Sequence, residues 1–294
     1  MTSNTELGSF LRARRASLDP DTAGVVPAGG TRRVPGLRRA EVAQLAGVST
    51  DYLVRLEQGR HPRVSPEVLD ALSDALRLDD VERQHLHDLA QTATGPRARA
   101  AAAGAPRTRS AMHQVIDVLG DVSPALVVNH RRDVLASNAL ARALLTDFDT
   151  LPAKDRNLAR FVLLDPAARE LFRDWEQVAQ VYVANLRLAA GSHPDDRRLN
   201  ELIGELTVRV PQFCTWWDSH RVRQCAHGDQ RLRHPVAGDL TLHHESLALP
   251  ADPGQEMCLY TAEPGTAHAD ALRLLASWTA PTAPKDVPSD ARQR

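Results

Sequence analysis

Seven arginines crowd the stretch between positions 30 and 65: Arg32, Arg33, Arg38, Arg39, Arg55, Arg60 and Arg63. Only Glu41, Asp51 and Glu57 oppose them there. A guanidinium offers its N–H donors as a flat fork that pairs with two acceptors at once, on a phosphate or on O6 and N7 of guanine. A local basic stripe of this kind is the electrostatic footprint of a compact nucleic-acid-binding module. The whole-chain charge of −1 hides it, because residues 1–110 carry 16 Arg against 13 acids while the rest carries 20 basic residues against 24 acids. Lysine occurs only at 154 and 285, so the arginine bias fits a GC-rich genome as well as it fits selection for guanidinium chemistry.

Other reactive residue types lead nowhere comparable. His243-His244-Glu245 resembles a metal-binding run, but adjacent residues in a strand point to opposite faces and cannot chelate together. His85 and His87 lie two apart on a helical stretch and do not face one another. Cys214, Cys225 and Cys258 are an odd, widely spaced set, which argues against a disulfide framework and a zinc site and fits a reducing cytoplasm. The chain has no Gly-x-Ser-x-Gly elbow, no phosphate-binding loop and no His-Glu-x-x-His. The expectation is a protein that is not an enzyme, without catalytic residues, metal or cofactor. No run approaches the roughly 20 apolar residues of a membrane span, and residues 1–10 are polar. A cytoplasmic protein with no membrane partner is expected.

The elements that must position those arginines follow from periodicity. Leu7, Phe10, Leu11 and Leu18 line one face of a helix over 6–18, and the Gly- and Pro-rich stretch 24–36 is a loop. Leu37, Val42, Leu45 and Ala46 mark a helix that Gly47 ends; Ser49 caps the next, which runs to about residue 58. Ser65-Pro66-Glu67 starts a fourth helix with Val68, Leu69, Leu72 and Leu76 inward. Asp79 with Glu82 forms a capping box for a fifth, carrying Leu86 and Leu89. Residues 91–109 read as a flexible basic linker.

Beyond the linker, short strands at 125–129 and 133–137 flank a His130-Arg131-Arg132 turn. Helical patterns cover 138–148, 166–190 and 195–209, and strand-like runs cover 221–227, 231–236, 240–249 and 256–261. Gly228-Asp229 and Gly238-Asp239 mark turns between those runs, a last helix spans 266–278, and a Pro-rich tail is disordered. The expected organisation is an all-α five-helix domain over 1–93, a linker over 94–110, an α+β domain with an antiparallel sheet over 111–279, and a tail over 280–294.

The segment 37–59 is the most specific signal. Two helices that cross at a tight turn need small residues at the crossing, supplied by Ala43, Ala46 and Gly47, with Val48, Leu53 and Leu56 as shared core. The second helix can then enter a major groove about 12 Å wide. These residues, ending in Glu57-Gln58-Gly59, resemble the XRE (Cro-type) helix-turn-helix family. The resemblance implies that residues 50–56 form the recognition helix. Thr50, Asp51 and Arg55 project from its outer face as candidates for base contact, Arg55 foremost. Asp51 has a second reading, as an acid complementing the helix dipole. Arg38 and Arg39 sit where the family contacts the DNA backbone, with Tyr52 and Arg60 as further backbone candidates. Tyr52 can equally pack, and Arg32, Arg33 and Arg60 can equally be solvated surface.

The remainder resembles the ligand-binding domain of MmyB-like transcription regulators, a group common in actinobacteria. The matching residues are Asp155-Arg156-Asn157-Leu158, Leu164-Asp165-Pro166, Trp216-Trp217 followed by His220-Arg221-Val222, residues 234–240 (His-Pro-Val-Ala-Gly-Asp-Leu), and residues 260–265 (Tyr-Thr-Ala-Glu-Pro-Gly). The resemblance implies a PAS-like domain with an internal pocket suited to a fatty-acyl or other apolar effector. Phe213, Trp216, Trp217, His220, Arg221 and Tyr260 are the pocket candidates, His220 and Arg221 as polar groups for a carboxylate. Where the family usually carries tryptophans this chain holds Arg132 and Ser137, which implies a different ligand or a smaller pocket.

Together these observations predict a sequence-specific regulator that binds double-stranded DNA, as a homodimer that restores affinity through paired half-sites. Its second domain senses a small apolar ligand; the alternative is a constitutive DNA-binding protein whose second domain docks a protein partner.

Overall fold

The structure is a computed structural model that describes residues 3–20, 22–23, 36–60, 63–92, 108–120, 122–219 and 227–279. The expected loop (all but Gly36), nearly all of the linker, and the tail lie outside the described residues, as do His220 and Arg221.

Five helices form the N-terminal region: α1 (Ser3–Ser17), α2 (Arg39–Leu45), α3 (Thr50–Glu57), α4 (Pro66–Ala75) and α5 (Asp80–Thr92). Their inward faces share one core that includes Leu7, Phe10, Leu53, Leu56, Leu72 and Leu86. The starts are set by side chains, as the sequence predicts. The Ser49 hydroxyl accepts the Tyr52 N–H at 3.1 Å. The Asp79 carboxylate accepts the Glu82 N–H at 2.8 Å, and the Glu82 carboxylate accepts the Asp79 N–H at 3.3 Å.

The C-terminal region is mixed α/β. In chain order it comprises α6 (Ser110–Val118), β1 (Ala125–Asn129), β2 (Val134–Ser137), α7 (Ala139–Leu144), α8 (Leu158–Leu164), α9 (Pro166–Leu171), α10 (Trp175–Ser192), α11 (Arg197–Arg209) and α12 (Phe213–Asp218). Then follow β3 (His227–His234), β4 (Gly238–Ala248), β5 (Gln255–Thr261) and α13 (Ala267–Thr279). The strands make one antiparallel sheet in the order β2-β1-β5-β4-β3. The alternation along each strand assigns its two faces. Leu126, Val128, Leu232, Leu242 and Tyr260 face the large helical core, while Ala125 and Val127 pack under Ile116 of α6. An all-helical region followed by an α/β domain with an antiparallel sheet is the fold class the sequence implies.

The structure corrects three details. The helix expected over 166–190 breaks into α9 and α10, because Phe172 bridges to Leu232 and the Arg173 N–H donates to the Arg231 carbonyl at 3.0 Å. Those two residues leave helical geometry to pair with the sheet edge. Gly228-Asp229 is not a turn: both lie within β3, opposite His244 and His243. The other expected turn is present just before Gly238-Asp239, where the His234 Nδ1 accepts the N–H groups of Val236 and Ala237 at 3.2 and 3.0 Å. Finally, α6, α8 and α12 are additional helices of nine, seven and six residues. At two turns or so, they are too short to show a helical period in sequence.

Candidate nucleic-acid interface and ligand pocket

Helices α2 and α3 meet at a turn whose geometry depends on Gly47. Its φ of 64° is left-handed, and the next N–H, of Val48, reaches back to the Ala43 carbonyl at 2.9 Å. That closure satisfies the end of α2 and aims α3 across it; a side chain at 47 strains it. Val42, Ala43, Leu53 and Leu56 are buried at the crossing. Thr50, Asp51 and Arg55 are exposed on the opposite side. Arg55 is positioned loosely, its Nε 3.4 Å from the Asp51 carbonyl.

The inner side of α3 is fixed by a charge that the sequence reading passed over. Glu57 is 2% exposed. Its carboxylate accepts Arg15 Nε of α1 at 2.7 Å and Arg39 Nε of α2 at 2.7 Å. Arg15 also donates to the Leu37 carbonyl at 2.9 Å. One buried carboxylate therefore ties three helices together around α3. The available signal was positional: Glu57 lies one turn beyond Leu53, on the apolar face, where an unpaired carboxylate is costly.

Arg39, expected at the DNA backbone, thus spends one of its five N–H donors on Glu57 and keeps its side chain half exposed. Arg38 is exposed at the start of α2, where its backbone N–H donates to Glu41 at 2.6 Å. Arg60 is exposed just past α3. Tyr52 is half-buried and packs against the N-terminal core; burial raises its hydroxyl pKa, opposed by Arg55. Arg32 and Arg33 lie outside the described residues.

The four pocket candidates among the described residues separate, His220 and Arg221 lying outside them. Phe213 and Trp217 stack with ring centroids 5.5 Å apart and line one cavity of about 360 Å³. Trp216 turns to the Trp175 ring edge at 6.0 Å. Tyr260 is buried against His244 at 5.1 Å, on the sheet side of the core. A second cavity of about 390 Å³ runs between α10 and β3–β4, with Tyr182, Gln230 and His244 in its wall.

Arg132, at one of the positions where tryptophan was expected of the family, is a buried cation. It is 8% exposed, has a left-handed φ of 67°, and donates from Nη1 to Glu256 at 2.7 Å. Glu256 also accepts the Ser246 hydroxyl at 2.9 Å. Burial, and next the Arg132 guanidinium, hold the His244 pKa down to about 4. His243, by contrast, is exposed between Asp229 and Glu245, so the two adjacent histidines do face opposite sides. Among the described residues, no group of three or more His, Cys, Asp or Glu side chains could hold a metal ion, and no helix is long and apolar enough to cross a membrane.

Residues 108–275 match the family model described as MmyB-like transcription regulator ligand binding domain, and residues 6–86 match one described as a helix-turn-helix domain. No curated protein matches the chain.

Proposed function

This chain belongs to the MmyB-like transcription regulator ligand binding domain family, and from that premise we propose that it is a sequence-specific DNA-binding regulator whose C-terminal domain senses a small apolar ligand. One observation carries the DNA half of this reading. The outer residues of α3 (Thr50, Asp51 and Arg55) are exposed, while its inner face is locked by apolar packing and by Glu57 between two arginines. A helix fixed on one side and free on the other is a probe for a groove. Thr50, Asp51 and Arg55 contact base edges, and Arg38, Arg39, Tyr52 and Arg60 contact phosphates. One five-helix unit buries little DNA surface, so two copies bind as a homodimer on paired half-sites.

The test is selection of bound duplexes from a random library, followed by titration of the selected site with wild type and Arg55→Ala. We expect an enriched motif, and a loss of roughly 1–3 kcal/mol for the variant with relaxed preference at one base. Equal losses on selected and scrambled duplexes would move Arg55 to the phosphates. No enrichment at all would remove the regulator reading.

The effector half rests on the family membership and on the two cavities flanking α10. Mass spectrometry of the native protein before and after organic extraction tests it, with a defined co-purified mass as the expected result. An empty protein that captures a protein partner instead would favour a docking role for the second domain.

A further inference from the structure

The two cores meet where α5 lies against α10 and Glu6 of α1 reaches Arg187, and the cavity lined by Phe213 and Trp217 opens at that seam. Its wall takes Glu6 from α1, His85 and Leu89 from α5, and Arg187 from α10. We propose that this seam cavity is a binding site for a small amphipathic carboxylate with an aromatic body, whose head group replaces Glu6 on Arg187. The binding itself stands on the seam alone; its regulatory meaning rests on the reading of the chain as a DNA-binding regulator.

Three features define the ligand. Arg187 is 4% exposed, and a guanidinium stays charged, so a buried one requires an anion. Glu6 is the anion in contact with it, accepting from Nη2 at 2.6 Å, with the Asp218 carboxylate a further anion in the cavity wall, while Nη1 donates to the Trp217 carbonyl at 2.7 Å. The Glu6 side chain is 28% exposed and sits on the first turns of α1, free to turn into solvent. Exchanging one carboxylate for another keeps the ion pair and changes little electrostatically.

The second feature is His85, 2% exposed, whose Nδ1 has no hydrogen-bond partner among the described residues. Burial, and then Arg187, push its pKa down to about 4, so the ring is neutral and offers one polar nitrogen beside the guanidinium. A ligand oxygen would satisfy it by accepting from an Nδ1–H, or a ligand hydroxyl by donating to a bare Nδ1. The third feature is the stacked Phe213 and Trp217 pair with Leu89, an apolar wall in a space of about 360 Å³. That volume is at the small end for organic ligands and suits a body of ring size.

The exchange has a mechanical consequence. Glu6–Arg187 and Asp88–Ser192 are polar links across the seam. Glu6 belongs to α1, the helix whose Arg15 grips Glu57 behind α3. A ligand that takes Arg187 from Glu6 therefore weakens the hold of the C-terminal domain on the helix that braces the DNA-reading element.

Isothermal titration of the full chain with indole-3-propionate, and with its neutral amide as a control, tests the site. The carboxylate should bind and the amide should bind at least about tenfold more weakly, the worth of a charge-assisted hydrogen bond. Glu6→Gln removes the competing anion, so it should tighten the carboxylate by about tenfold and leave the amide unchanged. Arg187→Met should abolish the difference between the two probes. If Arg187→Met fails to fold, Glu6→Gln alone still decides, because a merely structural Glu6 would loosen both probes together. Equal binding of acid and amide, weaker binding of the acid to Glu6→Gln, or no binding to either protein would overturn the proposal. Failure to bind DNA would count against the regulator reading only, since the calorimetry contains no DNA.

Discussion

Each half of this molecule buries charged side chains, and one ion pair from each, centred on Glu57 and on Arg132, differs in sign and in consequence. In the helical half, the paired group is an anion, Glu57, and of its two arginine partners Arg39 is half exposed while Arg15 is largely covered. In the α/β half, the buried group is a cation, Arg132, and its partner Glu256 is itself largely covered. The first arrangement braces a helix from behind and leaves its front free for contact. The second fixes a turn deep in the domain, beside the cavity wall that carries His244. An open helix face and an enclosed cavity wall thus rest on the same ion-pair chemistry, placed at different depths.

Depth predicts cost. Glu256→Ala should have the largest effect on folding, about 3–5 kcal/mol, because it strands a guanidinium that cannot reach water. Glu57→Ala should cost less, about 2–3 kcal/mol, since Arg39 keeps access to solvent and Arg15 keeps its bond to the Leu37 carbonyl. Denaturant titration followed by near-ultraviolet dichroism of the tryptophans, which all lie in the C-terminal half, measures the first. Hydrogen exchange of the α1–α3 amides measures the second. Equal costs would break the contrast.

Acid should treat the two halves alike. His85 and His244 are each held neutral down to about 4, chiefly by burial, against an ordinary value of 6.5. As pH falls, the unfolded chain takes up these protons first. The stability they carry is complete above about pH 6.5, is lost between there and about pH 4, and is flat below. Each contributes on the order of 3 kcal/mol over that window. His85→Leu should flatten the decline for the helical half and leave it intact for the other. An unchanged slope in that variant would mean His85 is not neutral in the folded protein.

The seam supplies a smaller effect. A Cβ on Gly191 would lie 2.5 Å from His85 Cε1, in the wall where the two halves touch. Gly191→Ala should therefore cost about 1–3 kcal/mol as an overpacked contact, and it should loosen the contact between the halves. Amide exchange in α5 and α10 reads this, and protection identical to wild type would mean the seam is soft.

How much of this was legible in sequence differs between the halves for a physical reason. The helical half is built from local signals: Ser49, Ser65 and the Asp79/Glu82 box each act within three residues of themselves, and each appears in the structure. The α/β half depends on contacts across long separations. Phe172 leaves its helix because of Leu232, sixty residues on, and Gly228 stays in a strand because His244 lies opposite. No local pattern contains those partners. The candidate pocket suffered the same way. Trp216 and Trp217 are neighbours in sequence, yet one faces Trp175 and the other the seam. Arg187, central to the seam, sat unremarked inside a helical pattern because its partner Glu6 is 181 residues away.

The sharpest form of the comparison sets two residues of one helix against each other. Glu57 and Arg55 are two apart on α3, one 2% exposed and the other on the surface. Removing the inner one should unfold the local structure and lose DNA binding only through that loss. Removing the outer one should leave stability within about 0.5 kcal/mol, because Arg55 is exposed and its side-chain hydrogen bond, to the Asp51 carbonyl, is long. Arg55→Ala is therefore predicted to melt like wild type while failing to discriminate one base. A melting point lowered by more than a few degrees would show Arg55 to be structural, and the division of α3 into a braced face and a reading face would have to be redrawn.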